Sequence, residues 1–224
     1  LIQNKARRAI RDKLPRRIRS RKTPETNMLT KPLTIKVIQA EHAALSAMLC
    51  SVPKLLSAWR QQQALPSAAD FAVLRAMLFY IDEFPEKLHH PKESQLLFPK
   101  LRARAPEIRD LLDRLDEDHL RGERAIRDLE HALLAFEMLG EPRRAGFEQM
   151  SERYARAYLN HMQTEEREIL PLALKVLSAD DWGDLDEAFA ANRDPLTGHA
   201  PEEQYRALFD KVLGSLAQSA QTTR

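Results

Sequence analysis

Between Thr34 and Val176 the apolar residues recur at helical spacing, and the pattern breaks only at three short stretches, "ALPS", "RARAPE" and "LGEPRR". A 3.6-residue period puts such residues on one face of a helix, and that face must be buried against a neighbour. The first stripe runs through Val37, Ile38, Leu45, Met48, Leu49, Val52, Leu55, Leu56 and Trp59, and the second from about Ala68 through Phe71, Leu74, Leu78, Ile81, Leu96, Leu97 and Leu101. The third begins after Pro106, a favoured first-turn proline, and the fourth runs from about Arg144 to Val176. Four long helices joined by short turns imply an all-α, antiparallel up-down four-helix bundle over residues 28–178. Pro85 and Pro91 should kink or locally disorder the second helix, since proline removes a ladder donor.

Two shorter helices are expected over residues 179–224, packed on the bundle. Ser178 caps the first, with Asp181 three residues on, and Tyr205, Leu208, Phe209, Val212, Leu213 and Leu216 form an apolar stripe on the second. Neither carries an evident chemical motif. The single cysteine, Cys50, has no disulfide partner and reads as a small core residue among Leu45, Met48 and Leu49, which favours a reducing, cytoplasmic setting. No apolar run is long enough to span a bilayer, so no membrane partner is expected.

Charge divides the chain. Residues 1–27 carry ten Lys or Arg against Asp12 and Glu25, while the remainder is net acidic. This reads as a basic, disordered extension, with the native domain starting near Met28. A nucleic-acid role for it is disfavoured, because it has no aromatic residue to stack on bases; such a role would show as steep salt dependence.

The histidines carry the functional signal. Residues equidistant from a tight turn sit at one height on neighbouring antiparallel helices. The midpoint of His42 and His89 falls at residues 65–66, that of His89 and His119 at residue 104, and that of His119 and His161 at residue 140. All three are predicted turns, so the four histidines share one level. Three of them are followed four residues later by glutamate: His89 by Glu93, His119 by Glu123 and His161 by Glu165. An i, i+4 pair projects from one face. Any single copy reads most simply as a surface pair; three in register do not. Four imidazoles and three carboxylates buried together would be prohibitive without a cation to neutralise them. Mixed nitrogen and oxygen donors in that number suit two iron or manganese ions, with zinc as an alternative although structural zinc prefers four ligands with cysteine prominent. His90 points about 100° away from His89 and has only Ser94 at i+4, so it is read as an outer neighbour of the site, while His131 and His199 read as ordinary polar residues. Tyr154 and Tyr158 flank the site as core residues with paired hydroxyls.

The pieces "AEHAAL", "HHPKESQLLFPKL", "DEDHLRGERAI" and "YLNHMQTEEREILPLA", in that order over residues 34–177, resemble the hemerythrin-like, HHE cation-binding family of four-helix bundles with a non-haem di-iron centre. The resemblance places His42, His89, Glu93, His119 and His161 on ligand positions. The helix-four carboxylate is Glu165 or Glu166, with Glu165 favoured by its i+4 phase. Oxygen-carrying members have histidine where this chain has Glu123. A third carboxylate would stabilise the ferric state, which favours a peroxide-reactive site or a sensor of oxygen or nitric oxide, in a sensing or stress role, over oxygen carriage. Whether the chain turns over a substrate is left open. No flavin or nucleotide motif is present, so a redox-active site would need an external electron donor. The alternative is a non-catalytic helical interaction module stabilised by its metal.

Overall fold

The computed structural model describes residues 31–61 and 65–221, the side chains of 215–221 excepted; the basic segment 1–27 therefore lies outside the described residues. Every regular element among the described residues is a helix. Helix α1 spans Leu33–Gln61. Helix α2 is one continuous helical run over residues 68–104: Ala68–Ile81 is α-helical, Asp82–His89 π-helical, His90–Lys92 a single α turn, Glu93–Leu97 π-helical again and Phe98–Arg104 α-helical. Helix α3 is Arg109–Leu139. Helix α4 covers residues 141–176, with a π segment at Glu165–Ile169 between Glu141–Thr164 and Leu170–Val176. The shorter α5 (Ala179–Ala190) and α6 (Arg206–Gln221) follow.

Local signals set these boundaries. Ser67 and Ser178 each form a capping box with the aspartate three residues on, which opens α2 and α5. Gly140 separates α3 from α4 at φ 73°, a conformation that side chains with a Cβ rarely adopt, and its N–H still closes onto the Phe136 carbonyl.

At the prolines expected to kink or locally disorder α2, the helix runs on through widened turns. The N–H of Phe98 reaches back five residues to Glu93, and that of Leu170 to Glu165. Each lies one residue before a proline, Pro99 or Pro171, whose ring has no N–H and crowds the carbonyl four residues back. Pro85 lies inside the first π segment, and its carbonyl accepts from His90 five residues on.

Two apolar clusters fill the interior. One joins Leu45, Met48 and Leu56 of α1 to Leu74, Met77 and Tyr80 of α2, Ile126 and Phe136 of α3, Phe147 and Met162 of α4, and Phe209 and Val212 of α6. The other joins Ile35 and Ile38 to Leu97, Phe98, Leu112, Leu115, Ile169, Leu170, Leu185 and Phe189. A polar layer interrupts the stripe between them on all four long helices, at His42, at residues 89–93, at His119 and at residues 161–165. Cys50 departs from its expected place in the core. It is exposed, because it belongs to the outer row of α1 with Ala43, Ala47, Lys54 and Ser57 rather than to the Leu45–Met48–Val52 stripe.

Candidate metal centre

The polar layer gathers ligand atoms into two groups that share a carboxylate. His42, His89 and Glu93 form one, and Glu93, His119, His161 and Glu165 the other; His90 clusters with His119 and His161. Every one of these residues is buried, and Glu93 has no exposed surface at all. His42 Nε2 lies 3.3 Å from Glu165, His89 Nε2 lies 3.2 Å from Glu93, and His161 Nε2 lies 3.2 Å from Glu165. The Nε2 atoms of His119 and His161 face each other at 2.9 Å.

The opposite ring nitrogens are held from outside. Nδ1 of His42 meets Glu166 at 3.2 Å, that of His89 meets Glu41 at 2.6 Å, that of His90 meets Glu86 at 3.1 Å and that of His119 meets Ser94 at 2.8 Å. His161 Nδ1 has a looser charge contact with Asp118 at 3.7 Å. Partners on Nδ1 orient His42, His89, His90 and His119 and direct their Nε2 atoms elsewhere, the arrangement that metal-ligating histidines adopt. Glu86 also accepts from the Tyr154 hydroxyl at 2.7 Å and from that of Tyr158, whose ring stacks on His90.

Electrostatics divides the layer. Burial opposes protonation of His89 and of His161, but Glu93 and Glu41 outweigh it at His89, and Glu165 and Asp118 do so at His161, which is raised to about 10. Burial and the neighbouring imidazoles hold His90 and His119 well below the usual histidine value. Burial, then the nearby Glu165 charge, pushes Glu93 up; Glu165 itself goes down, because His161 and His42 overcome its burial. Burial brings Glu86 to about 7 against the pull of its two tyrosines.

Among the described residues, the buried side-chain atoms that lack a hydrogen-bond partner include both oxygens of Glu93, both oxygens of Glu165, His89 Nε2 and His161 Nδ1. Leaving such atoms unpaired costs roughly 1–3 kcal/mol each. Four carboxylate oxygens without donors, in a layer lined by imidazole nitrogens, fit a cation, and the donor set is nitrogen and oxygen without sulfur. The model of the hemerythrin HHE cation binding domain matches residues 33–173. The chain belongs to the hemerythrin HHE cation-binding family. Comparison with the curated proteins found no match.

Of the residues expected at a hemerythrin centre, His42, His89, Glu93, His119, His161 and Glu165 are brought together. Glu123 is not. Its carboxylate is 45% exposed and pairs with Arg127. The inward row of α3 runs Leu115, His119, Gly122, Ile126, so the spacing from His119 is three and Glu123 falls to one side. Glu166 is partly exposed and holds His42 from outside, which leaves Glu165 as the inner carboxylate of α4. His90, read from the sequence as an outer neighbour, is inside. The roughly 100° between His89 and His90 straddles the interior, so His89 lies beside His42 at a ring separation of 5.1 Å and His90 stacks on His119 at 4.3 Å. The available signal was upstream, since Glu86 sits four residues before His90. The hemerythrin layer thus holds five imidazoles and two carboxylates.

Proposed function

We propose that this hemerythrin-family chain is an up-down antiparallel four-helix bundle whose polar layer holds two iron ions and binds or reacts with oxygen, peroxide or nitric oxide. The observation that carries the reading is the pair of fully buried carboxylates, Glu93 and Glu165, with all four oxygens lacking donors among inward-aimed imidazoles. His42, His89 and Glu93 would hold one ion, and His90, His119 and His161 the other, with Glu165 and Glu93 placed to serve both. Iron bound there supplies the redox and small-ligand chemistry that side chains lack.

The chain's own residues decide what the centre favours. With Glu123 outside, an extra carboxylate no longer argues against oxygen carriage. The residues on the other side of His90 decide it instead. Tyr154 and Tyr158 donate to Glu86, and Glu86 accepts from His90 Nδ1, so a carboxyl titrating near neutrality and two phenols stand against the ring. Such an array can hold and move protons at the edge of the site, which suits a reactive or sensing centre better than inert carriage. A groove of about 440 Å³ lined by Tyr154, Tyr158 and His161 opens on that side and offers a small ligand a way in.

The test is metal analysis with visible absorption on aerobically purified protein, beside a His119→Ala, His161→Ala double variant, followed by mixing the reduced protein with oxygen, peroxide or nitric oxide. About two irons per chain with near-ultraviolet bands, the bands and one iron lost in the variant, and a spectral change with one of the three ligands are expected. A stably helical wild type that takes up no iron would overturn the reading.

A further inference from the structure

Residues 178–212 lie beyond the stretch matched to the family, yet one of them reaches back to the centre. Asn192 follows α5 and is 4% exposed. Its side-chain amide donates to both carboxylate oxygens of Glu41, at 2.9 and 3.0 Å, and Glu41 in turn holds His89 Nδ1 at 2.6 Å. The side-chain oxygen of Asn192 accepts from Lys92, whose ammonium also donates to the Ala188 carbonyl at 2.9 Å. Two residues on, Asp194 accepts from the buried Tyr80 hydroxyl at 2.6 Å, which pins the strap to α2.

The strap closes one side of the layer. The space bounded by His42, His89 and residues 192–194 is a cavity of about 10 Å³, room for a single water. The opposite side is open: His161 lines the groove of about 440 Å³, and His90 and His119 line another of about 390 Å³. The two groups of ligand atoms therefore differ in what covers them, although Glu93 is common to both.

We infer that Asn192 is a positioning residue: by fixing Glu41, and through it the His89 ring, it locks and encloses the His42–His89–Glu93 position, so that a metal ion there exchanges far more slowly than one held by His90, His119 and His161. The inference rests on the layer being a metal centre. An amide that donates to both oxygens of a carboxylate leaves it one orientation, and that orientation sets the tautomer and tilt of the imidazole it touches. Of the other three rings, His90 has a comparable hold, since Tyr154 and Tyr158 fix Glu86. His119 Nδ1, however, meets the Ser94 hydroxyl, His161 Nδ1 lacks a hydrogen-bond partner among the described residues, and all three rings border the open grooves.

The experiment loads the full chain with two equivalents of Zn²⁺, which has no redox chemistry, and follows its release to a chromophoric chelator in the wild type, Asn192→Ala and Glu41→Gln. Hydrogen exchange of residues 189–196 is measured with and without zinc. The wild type should release zinc in a fast and a slow phase, and zinc should protect the strap. In Asn192→Ala the slow phase should quicken by about 10-fold to 100-fold, the fast phase should be unchanged and the protection should be lost. Glu41→Gln, which keeps the shape of the link but not its charge, should quicken the same phase alone. Two zinc ions released in one phase, or both phases quickened together with a matching loss of metal-free stability, would overturn the inference and leave the metal centre standing. A wild type that binds neither zinc nor iron would overturn both.

Discussion

The hydroxyl of Tyr158 fills the space that a side chain at position 122 would need, since a Cβ added to Gly122 would collide with that oxygen and crowd the ring carbons behind it. Tyr158 is itself fixed by its hydrogen bond to Glu86 and its stacking on His90, so the collision cannot be relieved cheaply. Gly122→Ala should cost about 1–3 kcal/mol in urea unfolding. Adding Tyr158→Phe should recover only part of that loss, because the ring remains. The same helix explains how Glu123 misled the pattern. His-x3-Glu is equally the spacing of a surface pair, and here Arg127 four residues further on draws the carboxylate outward. His90 was concealed for the opposite reason, because its partner precedes it. Metal content separates the two: His90→Ala should bind about one ion fewer than the wild type, and Glu123→Gln should bind the same number, by metal analysis of matched preparations.

Helix α5 positions the strap, and its start depends on a few local bonds. Ser178 Oγ accepts from the Asp181 N–H, and the Asp181 carboxylate accepts from the Ser178 N–H at 3.0 Å and from its hydroxyl at 2.7 Å. Ser178→Ala should cost about 1 kcal/mol, read as a shift in the urea midpoint. The Ser178 donors hold the Asp181 carboxyl down at about 2. A depressed carboxyl stabilises the fold above its unfolded value of about 4, and that contribution is lost as the pH falls through about 2. Asp181→Asn should therefore lower stability near neutrality, where that contribution is fully present, and flatten the loss of stability between about pH 4 and pH 2. This cap was legible in the sequence, because a capping box is a contact between near neighbours. The π turns of α2 and α4 were not. Their cue, a proline just after the turn, also predicts a kink, and the choice depends on whether a carbonyl five residues back can take the displaced N–H.

Across the whole molecule, what could be read from sequence follows symmetry and what could not follows distance. The clustering of His42, His89, His119 and His161 was legible because the midpoints between successive histidines fall at the breaks between the four long helices. Asn192 was not, because it sits in an irregular segment and its partner Glu41 is 151 residues away, which no periodicity encodes. The clusters on either side of the layer supply the hydrophobic stabilisation, while the layer opposes it so long as Glu93 and Glu165 lack donors. Metal should therefore act on the whole fold. A cation that binds only the folded chain stabilises it by about 2.7 kcal/mol at a free concentration 100 times its dissociation constant. For a domain of this size that is a rise in melting temperature of roughly 5–10 °C. Calorimetry of chelator-stripped and reloaded protein should show this rise, and the His119→Ala, His161→Ala variant, which keeps the His42–His89–Glu93 group, should show a smaller one. The direction of the pH effect follows from His161, which in the metal-free layer holds its proton up to about 10. That proton stabilises the metal-free fold below the unfolded histidine value of about 6.5, and the gain fades as the pH rises through about 10. A cation needs the neutral ring, so uptake near pH 7 must expel the proton, and apparent affinity should rise with pH below about 10. The melting-temperature gap between loaded and stripped protein should widen from pH 6 to pH 8 at fixed free metal, with protons released to a weakly buffered medium on loading. A gap that stayed constant would mean that His161 is not among the groups the cation engages.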